Sequence, residues 1–212
     1  MSGILDLLNS SIGKTIISGV SQEANQPQNK TQDVLTMALP ILMAAMKRNA
    51  SSQEGAQGLL SALDNKHDGS ILDNLGGLFS GGVNQEVKTD GEKILGHVLG
   101  RKQPVVTNAL SQKSGVDANT VAQILKVAAP IVLGMLGKEK RKQNVSNPSG
   151  LEGLLGGLLG GSAPAQEQSF LESILDADGD GSVIDDVAGM VLGGNKKKGG
   201  LGGLLGGLFG GK

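Results

Sequence analysis

PVVTNALSQKSGVDANTVAQILKVAAPIVLGML, residues 104–136, aligns without gaps on KTIISGVSQEANQPQNKTQDVLTMALPILMAAM, residues 14–46, and this pairing decides the fold. Ser21 and Gln22 meet Ser111 and Gln112, while Ala38, Pro40 and Ile41 meet Ala128, Pro130 and Ile131. The first stretch ends in a run that is apolar nearly all round. Val34, Leu35, Ala38, Ile41, Leu42 and Ala45 mark one helical face, and Met37, Leu39 and Met43 mark another. A helix of that kind is buried. Pro40 and Pro130 stand at the same place within the two runs, where a missing amide hydrogen and a ring clash kink the axis or force a helix start.

Working outward, LLSALDNKHDGSILDNLGGLFSGG at 59–82 aligns on LESILDADGDGSVIDDVAGMVLGG at 171–194 with eleven identities in twenty-four. Leu and Gly are abundant in this chain and match cheaply. The weight therefore falls on Asp64, Asp68, Ser70 and Asp73, which meet Asp176, Asp180, Ser182 and Asp185. A chain built this way is expected to be all-α: two diverged helical repeats packed as an orthogonal or irregular bundle, with Gly/Leu-rich linkers and tail. The units run over 1–89 and 90–194, the second carrying a Gly/Leu-rich insert at 150–168. Residues 195–212 form a Lys and then Gly/Leu-rich tail.

Composition agrees with helices. Of 212 residues 35 are Gly, three are Phe and none is Trp or Tyr, so the core must be packed from Leu, Ile, Val, Met and Ala rather than from strand-favouring aromatics. The 19 basic and 20 acidic residues nearly cancel, which removes any overall field that would steer the chain to nucleic acid or an anionic membrane. Without cysteine there is no disulfide, no thiolate nucleophile and no Cys-based zinc site, and His67 and His97 are the only imidazoles. The N-terminal MSGILDLLNSSIGK lacks the basic start and long apolar stretch of a secretory signal, so a cytoplasmic chain that starts there is expected. The apolar runs at 34–46 and 127–136 fall short of the ~20 residues a bilayer crossing needs and read as core helices.

The acidic segment DADGDGSVIDDV, 176–187, offers the one cofactor reading, calcium, through Asp176, Asp178, Asp180 and Asp185. Its twelfth position is Val187, where a calcium loop places a bidentate carboxylate, and the first copy has Lys66 at the third position. A structural reading covers both copies: Asp-Gly turns the chain, Ser70 or Ser182 caps the next helix, and Asp73 or Asp185 three residues on completes a capping box. That reading is preferred to the metal.

ALSQKSGVDANTVAQIL, 109–125, has the cadence of a helix-turn-helix with Gly115 at the turn. Asn119 and Gln123 could then reach base edges while Lys113 and Lys126 met phosphates. Against this, the supposed recognition helix continues into AAPIVLGML, the aligned first copy lacks the turn glycine, and the basic surface is thin. A packed helical hairpin is the preferred reading.

The tracts LGGLFSGG (75–82), LEGLLGGLLGG (151–161) and LGGLLGGLFGG (201–211) place Leu on one helical stripe and Gly on another. Glycine at this density costs about 1 kcal/mol per residue relative to alanine, so such a tract needs something to pack on. Self-association or docking to a protein partner is the expected use, with membrane association of the C-terminal tail beside Lys196 to Lys198 as a lesser one. The basic run KEKRK at 138–142 reads as a solvated face.

DGEKILGHVLGRKQPVVTNALSQKSGVDANTVAQILKVAAPIVLGMLGKEKR, residues 90–141, resembles the bacterial domain-of-unknown-function family numbered 937, to which YidB-like proteins are similar. The likeness extends to ALPILMAAMKRNASSQEGAQGLLSAL, to the Asp-Gly-Ser segments and to the Gly/Leu tracts. It implies a bacterial, helical, cytoplasmic protein and brings no catalytic residues with it. The residues themselves show no phosphate-cradling loop, serine elbow or histidine pair at metal spacing. The expected function is a non-enzymatic helical interaction or scaffold protein, with nucleic-acid binding through 109–125 as the alternative.

Overall fold

A computed structural model describes residues 4–159, and every regular element among them is helical. In chain order they are α1 (Ile4–Asn9), α2 (Ser11–Glu23), α3 (Gln28–Ala50), α4 (Gln53–Asn65), α5 (Leu75–Phe79), α6 (Gln85–Leu99), α7 (Gln103–Ser114), α8 (Ala118–Lys142) and α9 (Pro148–Leu159). Short 3-10 turns at Ser70–Asn74 and Gly100–Lys102 lead into α5 and α7. The protein is all-α, as its composition and apolar spacing indicate. Asp176, Asp178, Asp180 and Asp185, the second Asp-Gly-Ser segment and the tract at 201–211 lie outside the described residues.

The helices begin where the sequence supplies caps. Side chains of Ser10, Ser52, Asn84 and Asp117 accept from the backbone N–H of Gly13, Gly55, Val87 and Thr120, each satisfying one of the donors a helix start leaves open. The Asp-Gly-Ser turn works differently from the expected capping box. Gly69 turns the chain at φ +104, Asp68 Oδ1 accepts from the Ser70 N–H at 3.0 Å, and Ser70 opens the 3-10 turn instead of capping it. The cap of α5 is Asn74, whose side chain accepts from the Gly77 N–H at 3.2 Å. Asp73 points instead toward Lys138, 3.7 Å away.

The two long helices α3 and α8 pack on each other at the centre, and Pro40 and Pro130 are buried within them. Neither proline starts a new helix. Their first residues, Gln28 and Ala118, are partners in the alignment of 14–46 on 104–136, and the turns before them also correspond. Gly115 ends α7 at φ +69 and the aligned Asn25 follows α2 at φ +50, so asparagine takes the left-handed position for which glycine was missing. The residues after them return to solvent differently: Asp117 caps α8, whereas Pro27 precedes α3 without a side-chain cap.

A continuous core runs from Leu8 in α1 to Leu158 in α9 through both hairpins. Although the apolar run at 127–136 is short, α8 as a whole is long and apolar enough to cross a bilayer, and 78% of its most apolar window is buried inside the protein. Close approaches onto α8 depend on glycine. A Cβ at Gly91 of α6 would fall 1.8 Å from the Lys126 carbonyl oxygen, and one at Gly137 would fall 1.9 Å from that of His67.

The first long Gly/Leu tract is part of this body. In α9 the stripe Leu151, Leu154, Leu155 and Leu158 is buried, and the helix lies on α3 and α4. Burying a leucine contributes about 1.5–3 kcal/mol, enough for four of them to offset the glycines that weaken the helix. The apolar surface of residues 151–158 is thus covered by the chain's own helices.

Candidate functional site

Between α4 and α6 the surface is concave. A groove of about 860 Å³ separates α4 from α6, with Met46 of α3 and Leu133 of α8 in its floor. The α4 wall presents Gly55, Gly58, Leu59 and Ala62, residues three and four apart that share one helical stripe and leave its backbone approachable. A Cβ added at Gly58 would meet nothing within 4 Å. The α6 wall presents Asp90, Ile94, His97 and Val98, again one stripe. Ile12, in α2 and outside the groove, is the exposed large hydrophobic among the described residues.

Both ends of the groove are fixed by polar contacts. At one, Asn49 Nδ2 donates to the carbonyls of His97 and Val98 at 3.0 and 3.2 Å, satisfying acceptors that the end of α6 leaves open and tying α6 to α3. At the other, His67 Nε2 lies 3.5 Å from Asp90 Oδ2. Burial pushes the His67 pKa below the ordinary imidazole value, Asp90 partly opposes that, and the adjacent Lys66 charge adds to it. The rim carries Arg48, Lys66 and Lys93 against Glu54 and Asp90, one of which already faces His67.

The hydroxyls beside the groove are engaged in structure. Ser51 donates to the Arg48 carbonyl at 2.7 Å, and Ser52 accepts from the Gly55 N–H at 3.0 Å as the cap of α4. Among the described residues there is no cluster of three or more His, Asp or Glu side chains able to hold a metal. What the geometry offers is an apolar trough with a glycine-lined wall and a cationic rim.

The residues of the helix-turn-helix reading lie elsewhere. Lys113 is exposed at the end of α7, and Asn119 and Gln123 are exposed on the first turns of α8, one helical turn apart. Lys126 is half-buried, its Nζ 3.2 Å from Glu92 Oε2 on α6. His67 and Asp90 are brought together across the fold, a pairing that no local spacing announces. The legible part of the groove is the small-residue stripe Gly55, Gly58 and Ala62.

Residues 6–139 match the family described as a bacterial protein of unknown function, DUF937. The chain belongs to DUF937. The match runs from α1 into the last turns of α8 and so contains every residue that lines the groove, while α9 lies beyond it. No curated protein and no solved structure matches the chain. The DUF937 region therefore brings a helical body and a concave surface.

Proposed function

We propose that this DUF937 protein is a non-enzymatic helical interaction module, acting in the cytoplasm, whose working surface is the α4–α6 groove. The partner it fits is an amphipathic helix with a carboxylate-bearing polar face. One observation carries this: a trough of about 860 Å³ joins an apolar floor to a cationic rim. Helix-in-groove recognition uses such surfaces, with apolar anchors at three- and four-residue spacing seated on the floor. Small residues on the α4 wall allow the two backbones to approach closely. Binding is favoured over catalysis because His67 is engaged with Asp90 and the nearby serines serve as caps. Nucleic acid is the lesser partner in this reading, since Lys126 is already held by Glu92.

The test is fluorescence anisotropy of a labelled amphipathic peptide whose polar face is all glutamate, beside an analogue whose polar face is all lysine. The glutamate peptide should bind and the lysine analogue should not. Gly58→Trp places an indole in the open groove and should abolish the binding. Failure of the glutamate peptide to bind at any accessible concentration would overturn the proposal.

A further inference from the structure

The His67 end of the groove is built around a ring that can change its charge. His67 follows α4, and its backbone N–H donates to the Ala62 carbonyl at 3.0 Å. Its own carbonyl is pressed against Gly137 of α8, where an added Cβ would fall 1.9 Å away. The flanking aspartates are held to the same helix: Lys140 Nζ lies 2.6 Å from Asp64 Oδ1, and Arg141 Nη1 lies 3.0 Å from Asp68 Oδ2. With the backbone fixed on both sides, the ring lines the groove and sets Nε2 3.5 Å from Asp90 Oδ2 on α6.

Two features make this ring responsive to what fills the groove. The first is charge. Asp64 and Asp68 are paired with Lys140 and Arg141, Asp73 faces Lys138, Glu139 faces Lys142 and Glu92 faces Lys126, so the cations that α8 brings to this end are matched by carboxylates. The groove lining sets Arg48, Lys66 and Lys93 against Glu54 and Asp90, three positive charges against two negative. A proton on His67 takes that surplus from one to two and places the new charge beside Asp90. The second feature is burial. His67 is only 7% exposed, so a helix laid in the groove removes little further water from it. The desolvation that favours the neutral ring is present before docking, and what an acidic partner adds is attraction for the protonated form.

We infer that docking of a carboxylate-faced helix in the α4–α6 groove is coupled to protonation of His67, so that the groove holds such a helix more tightly in mildly acidic solution. This rests on the reading of the groove as a helix-docking surface. The coupling is reciprocal: the factor by which a proton on His67 tightens the helix is also the factor by which the helix tightens the proton. Attraction between unlike charges across a partly wet groove sets that factor at about three- to tenfold. His97, the other imidazole in the lining, is exposed at the far end, where water and salt screen its charge, and it does not carry the effect.

A chain with two histidines makes the test direct. With the full-length, untagged protein, anisotropy of the glutamate peptide at about pH 7.5 and pH 5.5 should show about three- to tenfold tighter binding at the lower pH. His67→Gln should bring the ratio close to one, and His97→Gln should leave it as in the unaltered chain. A second readout needs no change at His67. In the full-length His97→Gln protein the remaining imidazole NMR signal belongs to His67, and its titration midpoint should rise by about 0.5–1 on the pH scale when the peptide is saturating. Equal affinity at the two pH values, a ratio retained in His67→Gln, or a midpoint that stays or falls overturns the coupling while the groove reading stands. Peptide binding at neither pH overturns the groove reading as well.

Discussion

Asn25 and Gly115 turn the chain at the same place in two helical hairpins, with φ of +50 and +69. The left-handed conformation costs a side-chain-bearing residue roughly 1–2 kcal/mol, and asparagine less because its amide bonds locally. Replacing Gly115 by Ala should therefore lower the unfolding free energy by about 1 kcal/mol. Asn25→Gly should leave it unchanged or raise it by a few tenths. Urea unfolding of both variants checks this, and a stability loss for Asn25→Gly would show that the Asn25 side chain contributes more than backbone tolerance.

Thr31 of α3 and Val121 of α8 are likewise aligned, and both are fully buried. The Thr31 hydroxyl has no hydrogen-bond partner. A buried unsatisfied polar group costs about 1–3 kcal/mol, and valine keeps the shape without the hydroxyl. Thr31→Val should raise stability by about 1 kcal/mol, whereas Val121→Thr should lower it by a similar amount. A destabilised Thr31→Val protein in thermal denaturation would mean the hydroxyl is satisfied in solution.

How much of this was legible in the sequence depends on the range of the interaction. The α7–α8 hairpin follows from Gly115, Asp117 and the apolar run, all local signals. The corresponding turn at Asn25 carries no glycine signal, and asparagine adopts the positive φ in its place. The capping box at Ser70 failed because Gly69, at φ +104, shifts the chain so that Asp68 and Asn74 hold the donors. The His67–Asp90 pair and the groove between α4 and α6 arise from packing of distant segments, and a single sequence carries no register for that.

His67 makes stability depend on pH. Burial holds its folded-state pKa below the unfolded value, with Asp90 opposing and Lys66 reinforcing the effect. The neutral ring is therefore favoured by folding. Its contribution is complete above the unfolded value of about 6.5 and declines as pH falls through that value toward the folded one. The midpoint of thermal unfolding should drop over this window, and His67→Gln should flatten that part of the profile. An unchanged slope in the variant would assign the dependence to other groups.

In α9 the opposing effects are nearly balanced. Gly150, Gly153, Gly156 and Gly157 each weaken this twelve-residue helix by about 1 kcal/mol relative to alanine, and the buried Leu151, Leu154, Leu155 and Leu158 hold it on α3 and α4. Leu155 is fully buried, and truncating such a leucine costs about 2–5 kcal/mol, comparable with the whole margin of the helix. Leu155→Ala should therefore release α9 by local opening while α3 and α8 stay folded, since DUF937 as matched ends at residue 139, before α9 begins. Hydrogen exchange resolves the alternatives: residues 148–159 should lose protection, with the centres of α3 and α8 retaining theirs. Simultaneous loss in all three helices would instead make α9 an inseparable part of one cooperative core, and its four leucines would then be holding the central pair together rather than resting upon it.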